Sequence, residues 1–267
     1  MLPLRYWRDM TAREFAADRE SEWIAVLPIA AIEQHGPHLP VSTDTAIAEG
    51  MVAAAAHRLG DDLPVTFLPA LPYGKSNEHI ASPGTLTLGA ESLTSGLTDI
   101  ADSVHRAGVR KLILINSHGG NVPVLDIVAR DLRVRHSMLV VATAWSRFGY
   151  PEGLFPQTER TYGIHGGDFE TSVMLHLCPA LVHMELAADF QSIQTGMIDQ
   201  HTHLRAHGTH PFAWQAQDLN PEGVVGNASA ATAEKGKAVV AHQADGFAAL
   251  CRDVHEFDLS TLWTADS

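Results

Sequence analysis

Four short apolar runs constrain this chain more than any other feature: WIAVLPI (Trp23–Ile29), VTFLPAL (Val65–Leu71), KLILIN (Lys111–Asn116) and MLVVATAW (Met138–Trp145). None alternates apolar with polar residues, so a strand built from any of them has to be covered on both faces, the situation of a parallel sheet. Helical segments are expected between them: Thr45–Leu59 stopping at Gly60, Ser92–Ala107 stopping at Gly108, and Val122–Arg135 with Val124, Leu125, Val128 and Leu132 on one face. Two more are expected at Asp168–Leu177 and Ala228–Cys251. Strands alternating with helices give an α/β domain with right-handed crossovers. No repeat, linker or low-complexity tract interrupts the 267 residues, which read as one domain over 1–267. Gln191–Gly226, irregular and rich in His, Pro and Gly, is expected to be a long functional loop or an oligomer contact.

Composition removes several classes of function. A formal charge of −13 leaves no basic face for a phosphate backbone, so no nucleic-acid partner is expected. No run approaches the roughly 18 apolar residues of a membrane span, so no membrane partner is expected either. The charged opening, MLPLRYWRDMTAREFAADRE, lacks the apolar core of a secretory leader. Two cysteines, Cys178 and Cys251, fit a reducing cytoplasm. The 16 histidines are the unusual count, and histidine is both the commonest metal ligand and a proton shuttle near neutral pH.

Ligands of open α/β sheets gather beyond the carboxyl ends of the strands. The first run leads into IEQHGPHLPVSTDT, which packs Glu33, His35, His38 and Asp44 into a segment broken by Gly36, Pro37 and Pro40. The third leads into Ser117-His118-Gly119-Gly120-Asn121, and HGGDFETS places Asp168 or Glu170 at a helix start. Taken singly, each has an ordinary reading. His-Gly-Gly makes a turn, Glu-x-His a polar surface loop, Asp44 a helix N-cap and Glu170 a first-turn carboxylate. Together, at strand ends and helix starts, they read as a metal site or an acid/base pair. Imidazoles mixed with carboxylates, without thiolates, suit Zn, Mn or Fe. Five donors, Glu33, His35, Asp44, His118 and Glu170, exceed the three of a single catalytic zinc, and that count favours two ions.

EQHGPHLPVSTDT, NSHGGN and HGGDFETS, in this order, together with GKSNEHIASPGTLTLG and GVVGNASAATAEKGK, resemble the signature set of the creatininase family, over roughly Ile24 to Gly246. The resemblance implies a three-layer α/β/α sandwich with a mainly parallel central sheet. It implies two divalent ions per chain, Zn foremost with Mn or Fe as alternatives, and hydrolysis of a C–N bond in a small, often cyclic, amide. It also implies a homo-oligomer, up to a hexamer. Glu33 and His118 would serve one metal, His35 and Glu170 the other, with Asp44 bridging. His165 matches the histidine held near the substrate and is the expected proton shuttle. His38 falls outside the ligand set, with a supporting or surface role.

One departure bears on the substrate. Creatininase itself carries a glutamate ligand where this chain has Gly120, and Ile164 lacks the acidic character expected before His165. These differences argue against creatinine. The Gly-Gly-Asn version also occurs in relatives that are formamidopyrimidine deformylases or maturation peptidases, so a formamide or a short peptide is the alternative. Two cations sharing a water lower its pKa toward neutrality for attack on the amide carbonyl. Backbone N–H groups around Gly119 and Gly120 would help hold the oxyanion, and His165 would protonate the leaving nitrogen. Glu78, His79 and Trp145 are expected at the substrate pocket, with Trp214 either there or in the packing. A flavodoxin-like binding module is the competing class. Against it, SHGGN lacks the Lys-Ser/Thr of a phosphate loop and the spacing of a dinucleotide fingerprint. A metal-bound protein without catalysis is the third reading.

Overall fold

The structure is a computed structural model describing residues 2–15 and 22–263, so the leader reading of residues 1–20 falls partly outside the described residues. Four parallel strands, β1 (Ile24–Ile29), β2 (Val65–Phe67), β3 (Lys111–Asn116) and β4 (Leu139–Ala144), form one sheet in the order β2-β1-β3-β4. Pairing runs unshifted from Ile24↔Lys111 to Ile29↔Asn116 and from Lys111↔Leu139 to Asn116↔Ala144, so three strands finish level. Successive side chains point to opposite faces. Ile24, Val26, Ile113 and Ile115 enter one apolar cluster, while Ala25, Leu27, Leu112 and Leu114 enter the other. That is why the runs do not alternate: both faces are core.

Helices α1 (Thr43–Ala56), α2 (Ala90–Arg106), α3 (Val122–His136), α4 (Gln157–Tyr162), α5 (Asp168–Leu177), α6 (Gln194–Gln200), α7 (Ala216–Leu219) and α8 (Ala233–Glu256) complete the fold. A small antiparallel pair joins them, β5 (Asp189–Phe190) with β6 (Gly226–Asn227). Met51 of α1, Met174 of α5 and Phe247 of α8 pack on the first sheet face, and Leu97 of α2 and Val128 of α3 on the second. The expected three-layer sandwich is present. The chain leaves β1 over the first face toward β2, then returns across the second face to β3 and β4. Its direction therefore reverses between β1 and β3, which opens a crevice at their carboxyl ends.

Several boundaries differ from the sequence reading. β2 stops at Phe67: Leu68 N–H still donates to the Val26 carbonyl, but Pro28 of β1 has no N–H for the next rung, and the strands rejoin where Leu71 N–H donates to the Pro28 carbonyl. α1 starts at Thr43, so Asp44 lies inside its first turn rather than ahead of it. α8 starts at Ala233 rather than Ala228, since Thr232 caps it by accepting from the Lys235 N–H. β4 is an edge strand and only half-buried, with Leu139 and Val141 packed against one cluster and Val140 and Ala142 against the other. No helix among the described residues is long and apolar enough to cross a membrane.

Candidate metal centre

The loop after β1, the first turn of α1, the loop after β3 and the first turn of α5 converge on the crevice. Glu33, His35, Asp44 and His118 are all buried there. Asp44 stands between the two histidines: its Oδ1 lies 3.5 Å from His35 Nε2 and its Oδ2 3.5 Å from His118 Nδ1. Glu33 Oε1 is 3.2 Å from His118 Nδ1, and Glu170 Oε2 is 3.9 Å from His35 Nε2. Tetrahedral donors about 2.1 Å from one ion stand about 3.4 Å apart, so these separations suit shared cations. Both carboxylate oxygens of Glu33, Asp44 Oδ2 and His35 Nε2 are buried without a hydrogen-bond partner. Four unpaired polar atoms gathered in one buried cluster are costly unless protons on the imidazoles or a cation satisfy them. The residues fit a metal.

Each candidate ligand histidine is aimed from behind. His118 Nε2 donates to the Lys75 carbonyl at 2.9 Å, and His35 Nδ1 to the Glu33 carbonyl at 3.1 Å. Carbonyls only accept, so these nitrogens carry the protons and leave the other nitrogen of each ring facing the carboxylates. There it takes either a proton or a place beside a cation. Burial opposes charge on His35, but Asp44 and then Glu170 raise it to about 10. His118 is likewise raised well above its usual value by Glu33, against burial. Burial together with Glu33 pushes Asp44 up to about 6.

His165 stacks between His35 and His79, at ring separations of 4.2 Å and 4.3 Å. Its Nε2 donates to the Gln34 carbonyl at 2.8 Å, so Nδ1 is the free nitrogen and lies 3.7 Å from Glu33 Oε1. Burial, then the neighbouring His35, lowers it to about 4. Gly166, at φ 65°, turns the chain sharply after it. The Gly166 N–H donates to Glu170 Oε2 at 2.5 Å, tying the His165 loop to α5. The choice between Asp168 and Glu170 is resolved by partners. Asp168 is spent on Lys235, at 2.5 Å, and Ser172, whereas Glu170 turns to His35.

The remaining expected residues divide. Gly119 and Trp145 line a cavity of about 310 Å³ beside the cluster, together with His165 and Glu170. Gly120 is not on that wall. A Cβ there would fall 2.2 Å from the Lys75 carbonyl, 2.4 Å from Glu78 Oε1 and 2.5 Å from His118 Nε2. The glutamate that creatininase carries at this position has no room here, because Glu78 fills the space and reaches His118 Nε2 at 3.3 Å. Glu78 thus backs His118 rather than lining the cavity. His79 is buried in the cluster, with Nε2 3.4 Å from Glu33 Oε1 and Nδ1 accepting from Gln34 Nε2 at 2.8 Å. His38 is fully buried, not on the surface, and donates to the Gly166 carbonyl at 3.0 Å beneath the His165 loop. Trp214 packs with Leu219 and donates to the Ala206 carbonyl, away from the cavity.

Sequence reasoning missed Gln34, whose amide joins His79 to the Gly223 carbonyl at 2.6 Å, and Arg160 and His207, which line the cavity. The EQH motif contained Gln34, so its position between two candidate ligands was the available signal. The 191–226 segment does serve the site: it supplies His207 and Gly223, and Val225 exchanges backbone hydrogen bonds with His165.

Known proteins share this arrangement of chain. The creatininase family profile, described as creatinine amidohydrolase, matches residues 8–251. A mycofactocin precursor peptide peptidase of Mycobacterium tuberculosis H37Rv is 38% identical over 166 residues, 60% of this chain and 61% of its own length. Creatinine amidohydrolase of Pseudomonas putida is 32% identical over 199 residues, 68% of this chain and 74% of its own. Among solved structures, a creatininase with Mn superposes at TM-score 0.74 and 25% identity, covering 95% of this chain and 99% of its own. A mutant creatininase of Zn–Zn type does so at 0.74 and 26%, covering 94% and 98%. The match thus spans about three fifths of the mycofactocin peptidase. With the profile running nearly end to end over the same crevice, the chain belongs to the creatininase family.

Proposed function

We propose that this chain is a metal-dependent amidohydrolase, a single domain that hydrolyses the C–N bond of a small cyclic amide with two divalent ions. The observation that carries the reading is the divided Asp44 carboxylate, one oxygen toward His35 and the other toward His118. One ion would be held by Glu33, His118 and Asp44, the other by His35, Glu170 and Asp44. Zn is the first choice and Mn or Fe the alternatives, supported by the donor chemistry and by the Mn and Zn–Zn forms of creatininase. Bound there, the ions supply an acidified water and positive charge beside the amide carbonyl.

The chain's own residues do the rest. Glu78, Lys75 and Gln34 hold His118, His79 and His165 in orientation from outside the cluster. His165, its Nε2 proton fixed on the Gln34 carbonyl, uses Nδ1 to move a proton from the attacking water to the leaving nitrogen. The cavity beside it, about 310 Å³, is at the small end for ligand sites and suits a compact substrate. A short peptide or a formamide is the second reading, favoured by the 38% identity to a peptidase. The reading includes a cytoplasmic location, in keeping with free Cys178 and Cys251, and homo-oligomeric assembly as the family resemblance implies.

The test is His165→Ala in metal-loaded protein, assayed on cyclic ureides, lactams, formamides and short peptides. Metal content should stay at the wild-type level while the rate falls about 10²- to 10⁴-fold. Wild-type turnover in that variant removes His165 from the chemistry. No hydrolysis of any panel member by loaded wild-type protein overturns the enzymatic reading in favour of a non-catalytic metal protein.

A further inference from the structure

The cavity has two unlike sides. On one side lie His165 and Glu170 of the cluster; the rest of the polar lining is uncharged except for Arg160 and His207, and includes the donor-only side chains of Trp145 and Arg160. Trp145 and Ser117 both line the cavity, and Trp145 Nε1 and Ser117 Oγ are both buried without a hydrogen-bond partner. Trp145 is only 2% exposed, so bulk water does not stand in for the missing acceptor. Leaving such a donor unpaired costs about 1–3 kcal/mol, which a ligand oxygen within its reach would recover.

Arg160 completes the donor side. It lies in the last turn of α4, on the cavity lining and exposed. The described arginine and lysine ion pairs involve Arg8, Arg58, Arg135 and Lys235, and Arg160 has none. The adjacent Glu159 makes no ion pair with it: both Glu159 oxygens accept backbone N–H groups, from Asp168 and Asn227. Tyr150 shares the wall; burial holds its phenol up at about 12 against the pull of Arg160, so it too remains a protonated hydroxyl. Glu170, already placed beside His35, is the one carboxylate on the lining.

We propose that the substrate carries a carboxylate as well as the scissile amide, and that Arg160 binds this carboxylate, with Trp145 Nε1–H and Ser117 Oγ–H as accessory donors. The planar guanidinium fork matches a carboxylate in two parallel hydrogen bonds. In a chain of formal charge −13, an unpaired guanidinium at the mouth also draws an anionic ligand in against the overall field. The inference rests on the amidohydrolase reading and narrows it to acidic amides: a ring amide with a carboxylate substituent, or an N-acyl amino acid.

The experiment measures binding rather than turnover. Hydroxamates with two to four methylenes, ending either in a carboxylate or in the matching primary amide, are titrated into Zn-loaded protein by calorimetry. The hydroxamate anchors at the metal cluster, and the two ends differ only in charge. In wild-type protein the acid of at least one length should bind about 10- to 100-fold more tightly than its amide. In Arg160→Met that ratio should fall toward one, and in Arg160→Lys, which keeps the charge but not the fork, it should be intermediate. Equal affinities in wild-type protein, or a preference that survives Arg160→Met, overturn the proposal while leaving the amidohydrolase reading in place. Failure of every hydroxamate, acid and amide alike, to bind Zn-loaded protein overturns the metal-site reading and this inference with it.

Discussion

Gly120→Ala adds one methyl group, and the structure says what it meets. The new Cβ would lie 2.2 Å from the Lys75 carbonyl, 2.4 Å from Glu78 Oε1 and 2.5 Å from His118 Nε2. Glu78 alone could swing aside. The Lys75 carbonyl is backbone, in a segment pinned by Asn121 Oδ1 accepting from the Lys75 N–H at 2.8 Å and by Thr87 Oγ1 accepting from the Ser76 N–H at 2.8 Å. The His118 ring is fixed between that carbonyl and Glu33. Accommodation therefore breaks the bond that aims Nδ1 at the cluster. Overpacking of this kind costs about 1–3 kcal/mol, and losing the outer partner of a metal ligand weakens metal affinity about 10- to 100-fold. Gly119→Ala is the control, because nothing lies within 4 Å of its Cβ; a change within about 0.5 kcal/mol is expected. Urea denaturation of chelated protein measures the first quantity, and competition with a chromophoric chelator the second. If the two variants lose metal affinity equally, His118 is not aimed by Lys75 in the way described.

Further outcomes follow from the electrostatics and the core. At pH 7 the chelated protein holds protons on His35, raised to about 10, and on His118, raised well above its usual value, and a ligand imidazole must surrender its facing proton. Metal loading should thus release roughly two protons per chain, with affinity rising as pH rises toward 10, measured by calorimetry in buffers of different ionisation heat. Zero release contradicts the ligand assignment. Lys235→Met strands Asp168, which is 1% exposed, and should destabilise the fold by about 3 kcal/mol, the low end for a broken buried pair because Ser172 still donates to it. Lys235→Met with Asp168→Asn should recover much of that loss; a single variant as stable as wild type in urea shows the pair to be superficial.

The sheet was legible because its runs have no polar side. Ile24 and Val26 serve one core and Ala25 and Leu27 the other, so the absence of alternation was itself the signal. The residues of the buried cluster, the candidate ligands, were legible because they sit in short contiguous motifs at the ends of β1 and β3 and the start of α5. Their supports were not, because these arrive from distant parts of the chain. Lys235, 67 positions from Asp168, occupies that carboxylate and leaves Glu170 for the cluster. Glu78 meets His118 only because residue 120 lacks a side chain. Arg160 lies in a helix of 6 residues, too short for periodicity to announce. The start of α8 was misplaced because residues 228–233 are alanine-rich throughout and only the Thr232 cap distinguishes turn from helix.

The most direct measurement is metal content per chain, by elemental mass spectrometry, for wild type and Asp44→Ala purified without chelator or added metal. Two equivalents of Zn, Mn or Fe are expected in wild type. In Asp44→Ala they should be lost, because one carboxylate serves both histidines. A wild-type value near zero that persists after reconstitution, or full occupancy in Asp44→Ala, would contradict the two-ion centre.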